Sequence, residues 1–142
     1  PGVADPGAAI VQLAHKKGIA VVPLVGPSSI LLALMASGMN GQCFKFNGYL
    51  PIDKLDRKRK IKELEIESTK TNCTQIFIET PYRNNQLIAD ILESCKGETK
   101  FCIAIDLTSS QEMICTKTVN EWKKKQVDFH KKLGIFLISA SN

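Results

Sequence analysis

The sequence is poor in aromatic side chains, 6% of its 142 residues, and it lacks any apolar run near the roughly 18 to 20 residues that a membrane-spanning helix requires. Its longest such stretch, residues 30–36, is short enough to be a buried helix, so no membrane span is expected. Cysteines stand at Cys43, Cys73, Cys95, Cys102 and Cys115, with no Cys-x-x-Cys pair and no histidine pair to complete a zinc site. An odd number of thiols set in apolar stretches fits unpaired, buried cysteines in a reducing compartment, and the expected location is cytoplasmic. The phosphate-loop pattern G-x-x-x-x-G-K-[ST] and the dinucleotide pattern G-x-G-x-x-G are both absent, which removes the common nucleotide-binding readings. His15 and His130 are the only histidines, and neither has a nearby serine, cysteine or acid to suggest a catalytic triad, so both are read as surface residues. The sequence opens on Pro1 without an initiator Met or a signal-peptide pattern, and is therefore expected to be part of a longer protein.

What is present is an ordinary globular composition, 44% hydrophobic and 23% charged. A chain of this size can bury about 68% of its extended surface, enough for a core without metal or disulfides. The net charge of +5, from 19 basic and 14 acidic residues, permits an anionic partner. Asp5-Pro6-Gly7 opens a helix that Gly18 ends, and residues 20–24 follow as a short apolar strand. Gly26-Pro27-Ser28-Ser29 starts a second helix reaching about Ser37, and residues 44–50 form a strand. Asp53 opens a charged helix to about Ser68. Residues 73–79 are then a strand, 84–95 an amphipathic helix, and 101–106 and 112–118 strands. A basic helix over 120–131 and a strand over 135–139 complete the pattern, giving six or seven strands in all. Residues 1–25 hold too little for a domain, whereas 26–142 hold five strands with flanking helices, an α/β unit.

In open α/β sheets ligands gather beyond the carboxyl ends of strands. Three polar corners are expected there. Gly26-Pro27-Ser28-Ser29 offers free backbone N–H groups and two hydroxyls at a helix start, either as a plain cap or as a seat for a polar ligand group. In Glu79-Thr80-Pro81-Tyr82-Arg83, Thr80 can cap while Glu79 and Arg83 pair, or Glu79 and the Thr80 backbone can orient a ligand. Asp106-Leu107-Thr108-Ser109-Ser110 is either a hydrogen-bonded turn or a third ligand corner. Six basic residues lie between Lys54 and Lys62 (Lys54, Arg57, Lys58, Arg59, Lys60 and Lys62), and Lys123, Lys124, Lys125, Lys131 and Lys132 make a second cluster. Each reads either as a solvated, ion-paired face or as a phosphate-contacting one, and neither is interleaved with aromatics for base stacking.

The order of these corners, together with Val22-Pro23-Leu24-Val25, Ala33-Leu34-Met35-Ala36-Ser37-Gly38 and Phe46-Asn47-Gly48-Tyr49-Leu50-Pro51, resembles the tetrapyrrole (corrin/porphyrin) methylase superfamily, and within it the branch that methylates small-subunit ribosomal RNA at a cytidine ribose 2′-hydroxyl. The resemblance implies the α/β C-terminal domain of a tetrapyrrole-methylase-like fold, a mixed sheet of about five strands flanked by helices, with residues 1–25 the remnant of an N-terminal cofactor domain and 26–142 the C-terminal one. It also implies S-adenosylmethionine in the cleft between two domains, a homodimer, and ribosomal RNA as partner. Val3, Pro27, Ser28 and Ser29 would line the cofactor cleft from one side, and Glu79, Thr80, Leu107 and Thr108 from the other; Arg57, Lys58, Arg59 and Arg83 would face RNA. No metal site and no catalytic base are assigned. A truncated chain of this kind is expected to be inactive alone. Corrin or porphyrin C-methylation and a non-catalytic RNA-binding or dimerisation role remain the alternatives.

Overall fold

The computed structural model of the chain describes residues 3–140. Ten elements follow one another: α1 (Ala8–Lys16), α2 (Ser29–Ser37), β1 (Phe44–Tyr49), α3 (Lys54–Thr71), β2 (Thr74–Ile78), α4 (Asn84–Ser94), β3 (Lys100–Ile105), β4 (Met113–Thr118), α5 (Val119–Lys123) and β5 (Gly134–Ser139). The five strands form one mixed sheet in the order β1-β2-β5-β3-β4. Only the β1–β2 pair is parallel; β5 runs against both β2 and β3, and β4 against β3.

Side chains alternate across the strands, so each strand feeds two cores. On one face Phe77, Phe101, Ile103, Phe136 and Ile138 pack beneath α3, α4 and α5 with Ile61, Leu64, Leu87, Ile91 and Trp122. Phe136 stacks between Phe77 and Phe101, with ring centroids 6.4 Å from each. Each of these fully buried rings contributes on the order of 1.5–3 kcal/mol from burial alone. On the other face Ile76, Cys102, Ala104, Ile135 and Leu137 pack against Ala33 and Leu34 of α2.

Local chemistry sets the boundaries. Asp53 caps α3, its Oδ1 accepting from the backbone N–H groups of Leu55 and Asp56 at 2.9 and 3.0 Å. The helix buries Arg57, Ile61, Leu64, Glu65 and Ser68, a stripe at helical spacing, and stops at Asn72 in the left-handed region. α2 ends at Gly38, also left-handed with φ of 70°. Thr118 and Glu121 close a reciprocal capping box over α5.

Two sequence expectations need correction. Residues 20–24 do not form a strand: residues 19–28 carry no helix or strand, and Val22, Leu24 and Val25 are 74%, 89% and 107% exposed. An apolar run becomes a strand only where a neighbour offers a ladder, and none pairs with it among the described residues. α1 likewise buries no residue. The basic helix expected over 120–131 stops at Lys123. Beyond it, side chains of α4 compete for the backbone: Asn84 Nδ2 donates to the carbonyls of Phe129 and Lys132, and Asn85 Oδ1 accepts from the Phe129 N–H. Among the described residues there are five strands, where six or seven were expected.

Candidate functional site

Since β1, β2 and β3 share one direction and β5 opposes them, three carboxyl ends and the start of β5 meet at one edge of the sheet. A cleft of about 650 Å³ lies there. Its floor is Ile78, Ala104 and Ile135, residues of the α2 face, and its rim carries Ser29 at the start of α2, Tyr49 at the end of β1, and Glu79 after β2. Asp106, Leu107 and the 109–111 turn close the far side. An apolar floor with a few convergent polar groups is the usual form of a small-molecule site. Gly134, in the wall, is tightly packed: a Cβ there would sit 2.9 Å from Cζ of Phe136 and 3.0 Å from Cδ1 of Ile105, so these side chains would have to shift to admit one.

Glu79 is the polar centre of this rim. Its side chain is 1% exposed, and Oε1 alone accepts from the Thr80 N–H at 2.6 Å and from Arg83 Nη2 and Nε at 2.7 and 3.0 Å. Oε2 is buried and has no hydrogen-bond partner. A buried carboxylate oxygen left unmatched costs free energy, and this one belongs to a residue that lines the cleft. The pairing of Glu79 with Arg83 matches expectation, but Thr80 does not cap α4; its carbonyl accepts from the Arg83 N–H at 2.9 Å instead.

The third corner is built as an ordered turn. Asp106 and Thr108 both have positive φ, 48° and 69°. The Asp106 N–H donates to the Leu133 carbonyl at 2.8 Å, while its carboxylate accepts from the Leu133 N–H and pairs with Lys132 Nζ at 2.9 Å. The Lys132 hydrogen bond, ahead of the Leu133 N–H, holds the Asp106 carboxyl below its ordinary range. Glu112 Oε2 accepts from the Thr108 N–H at 2.6 Å. Thr80 and Thr108 follow β2 and β3, which are not neighbours, because β5 lies between them.

Of the residues expected around the cofactor, Ser29, Glu79 and Leu107 line the cleft, whereas Val3, Pro27, Ser28, Thr80 and Thr108 do not. Tyr49 and the Gly134-Ile135 start of β5 line it without having been singled out. Tyr49 stood within a motif already noticed, while β5 reaches the site only through its central place in the sheet, which no local pattern announces.

The expected RNA-facing residues separate sharply. Arg57 is not a surface cation: it is 3% exposed, with Nη2 and Nε 2.6 and 2.8 Å from Asp90 Oδ2 and Nη1 donating to the Ile52 carbonyl at 2.7 Å. Lys58 pairs with Glu93 at 2.6 Å and Arg83 with Glu79. Arg59, with a side chain 73% exposed, pairs with the exposed Asp56. No cluster of metal-binding side chains occurs among the described residues, and no helix among them is long and apolar enough to cross a membrane.

No family model matches the chain. It is 37% identical over 114 residues to ribosomal RNA small subunit methyltransferase I of Vibrio cholerae, covering 80% of this chain. Against the protein of the same name from Escherichia coli O157:H7 it is 33% identical over 144 residues, covering 99% of this chain. The chain is a homologue of these methyltransferases. It spans 38% and 49% of their respective lengths. Solved structures share the fold at lower identity. The cobalamin biosynthetic enzyme cobalt precorrin-4 methyltransferase has a TM-score of 0.62 at 13% identity, over 98% of this chain and 60% of that one. The methyltransferase CobJ has a TM-score of 0.61 at 15% identity, over the same shares. The five-stranded α/β unit thus shares its fold with these two methyltransferases, and a mixed sheet of about five strands flanked by helices is what the sequence led us to expect.

Proposed function

We propose that this chain forms one wall of the cofactor cleft of an S-adenosylmethionine-dependent methyltransferase whose acceptor is a ribose 2′-hydroxyl of small-subunit ribosomal RNA. The observation that carries the reading is the apolar-floored cleft at the strand ends with one buried, unpartnered carboxylate oxygen, Glu79 Oε2, in a chain whose relatives are named as ribosomal RNA methyltransferases. The lining fits part of such a cofactor, whose ammonium, ribose hydroxyl and adenine amino groups can donate to an acceptor and whose ring and methylene carbons suit an apolar floor. When bound, that cofactor supplies an electrophilic methyl group for in-line transfer. The residues of this chain bind and orient: Ile78, Ala104 and Ile135 exclude water from one side, Glu79 Oε2 accepts a donor, and Ser29 adds a hydroxyl at the mouth.

In this reading residues 1–25 belong with an N-terminal domain and 26–142 form the C-terminal one, consistent with the absence of residues 3–29 from both buried cores. The remaining wall, a second copy of the protein and a cytoplasmic location belong to the same proposal. So does weak cofactor binding by the 142-residue chain alone. The solvent-facing cations Arg59 and Lys62 of α3, rather than Arg57, are the residues of that helix assigned to RNA.

The test uses the full-length protein. Methyl incorporation from S-adenosylmethionine into a ribose 2′-hydroxyl of small-subunit RNA is expected, and incorporation into a corrin or porphyrin ring but not RNA would overturn the acceptor. Glu79→Gln should weaken cofactor binding by about 1.5–3 kcal/mol, roughly 10- to 150-fold, the worth of a hydrogen bond to a charged group. Unchanged affinity in calorimetry would remove Glu79 from the site.

A further inference from the structure

We propose that Cys43 and Cys73 are a redox-active dithiol that closes to a disulfide, fastening the edge strand β1 to its neighbour β2 at the end of the sheet remote from the cleft. The register carries the geometry. Phe44 lies opposite Thr74 and Lys45 opposite Gln75 in the parallel β1–β2 pair, and the Thr74 N–H donates to the Cys43 carbonyl at 2.9 Å. The two cysteines therefore face one another one step earlier, and in-register residues of parallel strands project from the same face. Adjacent strands lie about 4.8 Å apart, inside the span of roughly 4.4–6.8 Å that a disulfide bridges between Cα atoms.

That face is the one beneath α3, where Lys45 Nζ pairs with Glu67 at 3.0 Å. The groups acting on the Cys73 thiol agree: burial pushes it up to about 11, the Cys43 thiol adds to the rise through a hydrogen bond and its charge, Glu67 adds further, and Lys45 opposes them. The remaining thiols are placed differently. Cys95, the residue that ends α4, is buried beside Glu65, and Cys102 and Cys115 stand opposite Thr116 and Ile103 rather than each other.

Exposure divides the labour, since Cys43 is half-buried and Cys73 buried. With a low-molecular-weight disulfide such as oxidised glutathione, the Cys43 thiolate attacks one sulfur, forming a mixed disulfide and releasing one glutathione thiolate. Cys73 loses its proton to solvent and its sulfur attacks Cys43, expelling the second glutathione thiolate. Two protein thiols are oxidised as one glutathione disulfide is reduced to two thiols. The second step is governed by the raised Cys73 thiol, so its rate should climb about tenfold per pH unit through the neutral and mildly alkaline range.

The covalent link reinforces a junction already tied by polar bonds, in which Asn40 Nδ2 donates to the Asn72 carbonyl at 2.6 Å and Thr74 Oγ1 to the Asn40 carbonyl at 2.9 Å. Tyr49 and Ile78, at the other ends of the same strands, line the cleft. Incubation of the protein with oxidised glutathione, followed by peptide mapping and thiol counting, tests the pairing. A peptide linked through Cys43 and Cys73, two hydrogens lighter than its reduced parts, is expected, with a raised melting temperature and unchanged cofactor binding. Cys73→Ser should leave glutathione stably attached to Cys43, and Cys43→Ser should leave Cys73 unmodified. A lasting glutathione adduct on Cys43 of the unmutated protein, a linkage between other cysteines, or no reaction at pH 9 would each overturn the proposal.

Discussion

Replacing Arg57 by alanine separates a structural cation from a nucleic-acid contact. In the folded chain the Arg57 and Asp90 side chains are each 4% exposed and 2.6 Å apart, and the guanidinium also bonds the Ile52 and Pro51 carbonyls at 2.7 and 3.3 Å. Removing one partner of such a pair leaves a buried charge without its counterion, which costs about 3–5 kcal/mol. Lys58 Nζ stands 4.0 Å from Asp90 Oδ1 and can take over part of the charge, so Arg57→Ala should fall toward about 3 kcal/mol and Asp90→Ala toward about 5. For a chain of this size that is a fall of roughly 10 to 20 °C in melting temperature. Arg59→Ala, which removes the exposed ion pair with Asp56, should cost about 0–1 kcal/mol. Urea denaturation followed by far-ultraviolet circular dichroism measures all three. A double replacement, Arg57→Met with Asp90→Leu, should recover most of the loss, since apolar residues of similar volume often substitute for a buried pair without penalty. Arg57→Ala within 1 kcal/mol of the parent, combined with a weakened affinity for RNA, would refute the reasoning and return Arg57 to the surface.

Gly134→Ala should lose about 1–3 kcal/mol, because its methyl group would press on Phe136 and Ile105; a neutral result in the same denaturation experiment would show that the wall yields. Stability should also decline in acid. The carboxyls of Asp106, Glu121 and Asp128 are held below their ordinary values of 3.8, 4.5 and 3.8 by Lys132, by the Thr118 backbone and by Asn85 respectively, so their contribution is full above those values and lost as pH falls through the lower folded-state ones. Melting temperatures from pH 6 down to pH 2 check this, and for Asp106→Asn the decline should be shallower than for the parent.

The fold was largely legible because its strands and helices carry their own punctuation. Asp53 announced α3, and the apolar run over 101–106 marked a strand, which the structure buries on both faces with Phe101, Ile103 and Ile105 on one and Cys102 and Ala104 on the other. The errors arose where partners decide. Residues 20–24 have strand composition but no ladder among the described residues, and the stretch after Lys123 has helix composition but surrenders its carbonyls to Asn84. Arg57 is the instructive case. Counted with its charged neighbours it looked like surface, yet it lies four residues before Ile61 and seven before Leu64, on the buried stripe of its own helix. For the cleft, the three polar corners drew notice to the segments that hold Ser29, Glu79 and Leu107 and the family resemblance named those residues, whereas Tyr49 and Gly134 depended on strand order, which spacing does not encode.

That strand order also bears on how the domain comes to exist. β5, the final strand of the sheet, sits at its middle, joining the β1–β2 pair to the β3–β4 pair, and Phe136 on it is the ring wedged between Phe77 and Phe101. During synthesis the two halves emerge with their inner edges unsatisfied and their aromatic rings without the wedge between them. Closure waits for residues 134–139. Long-range strand pairing is slow and exposes unpaired edges meanwhile, so a chain halted before residue 134 would present two open edges, each a template for pairing with another chain, where the completed sheet has none at its centre.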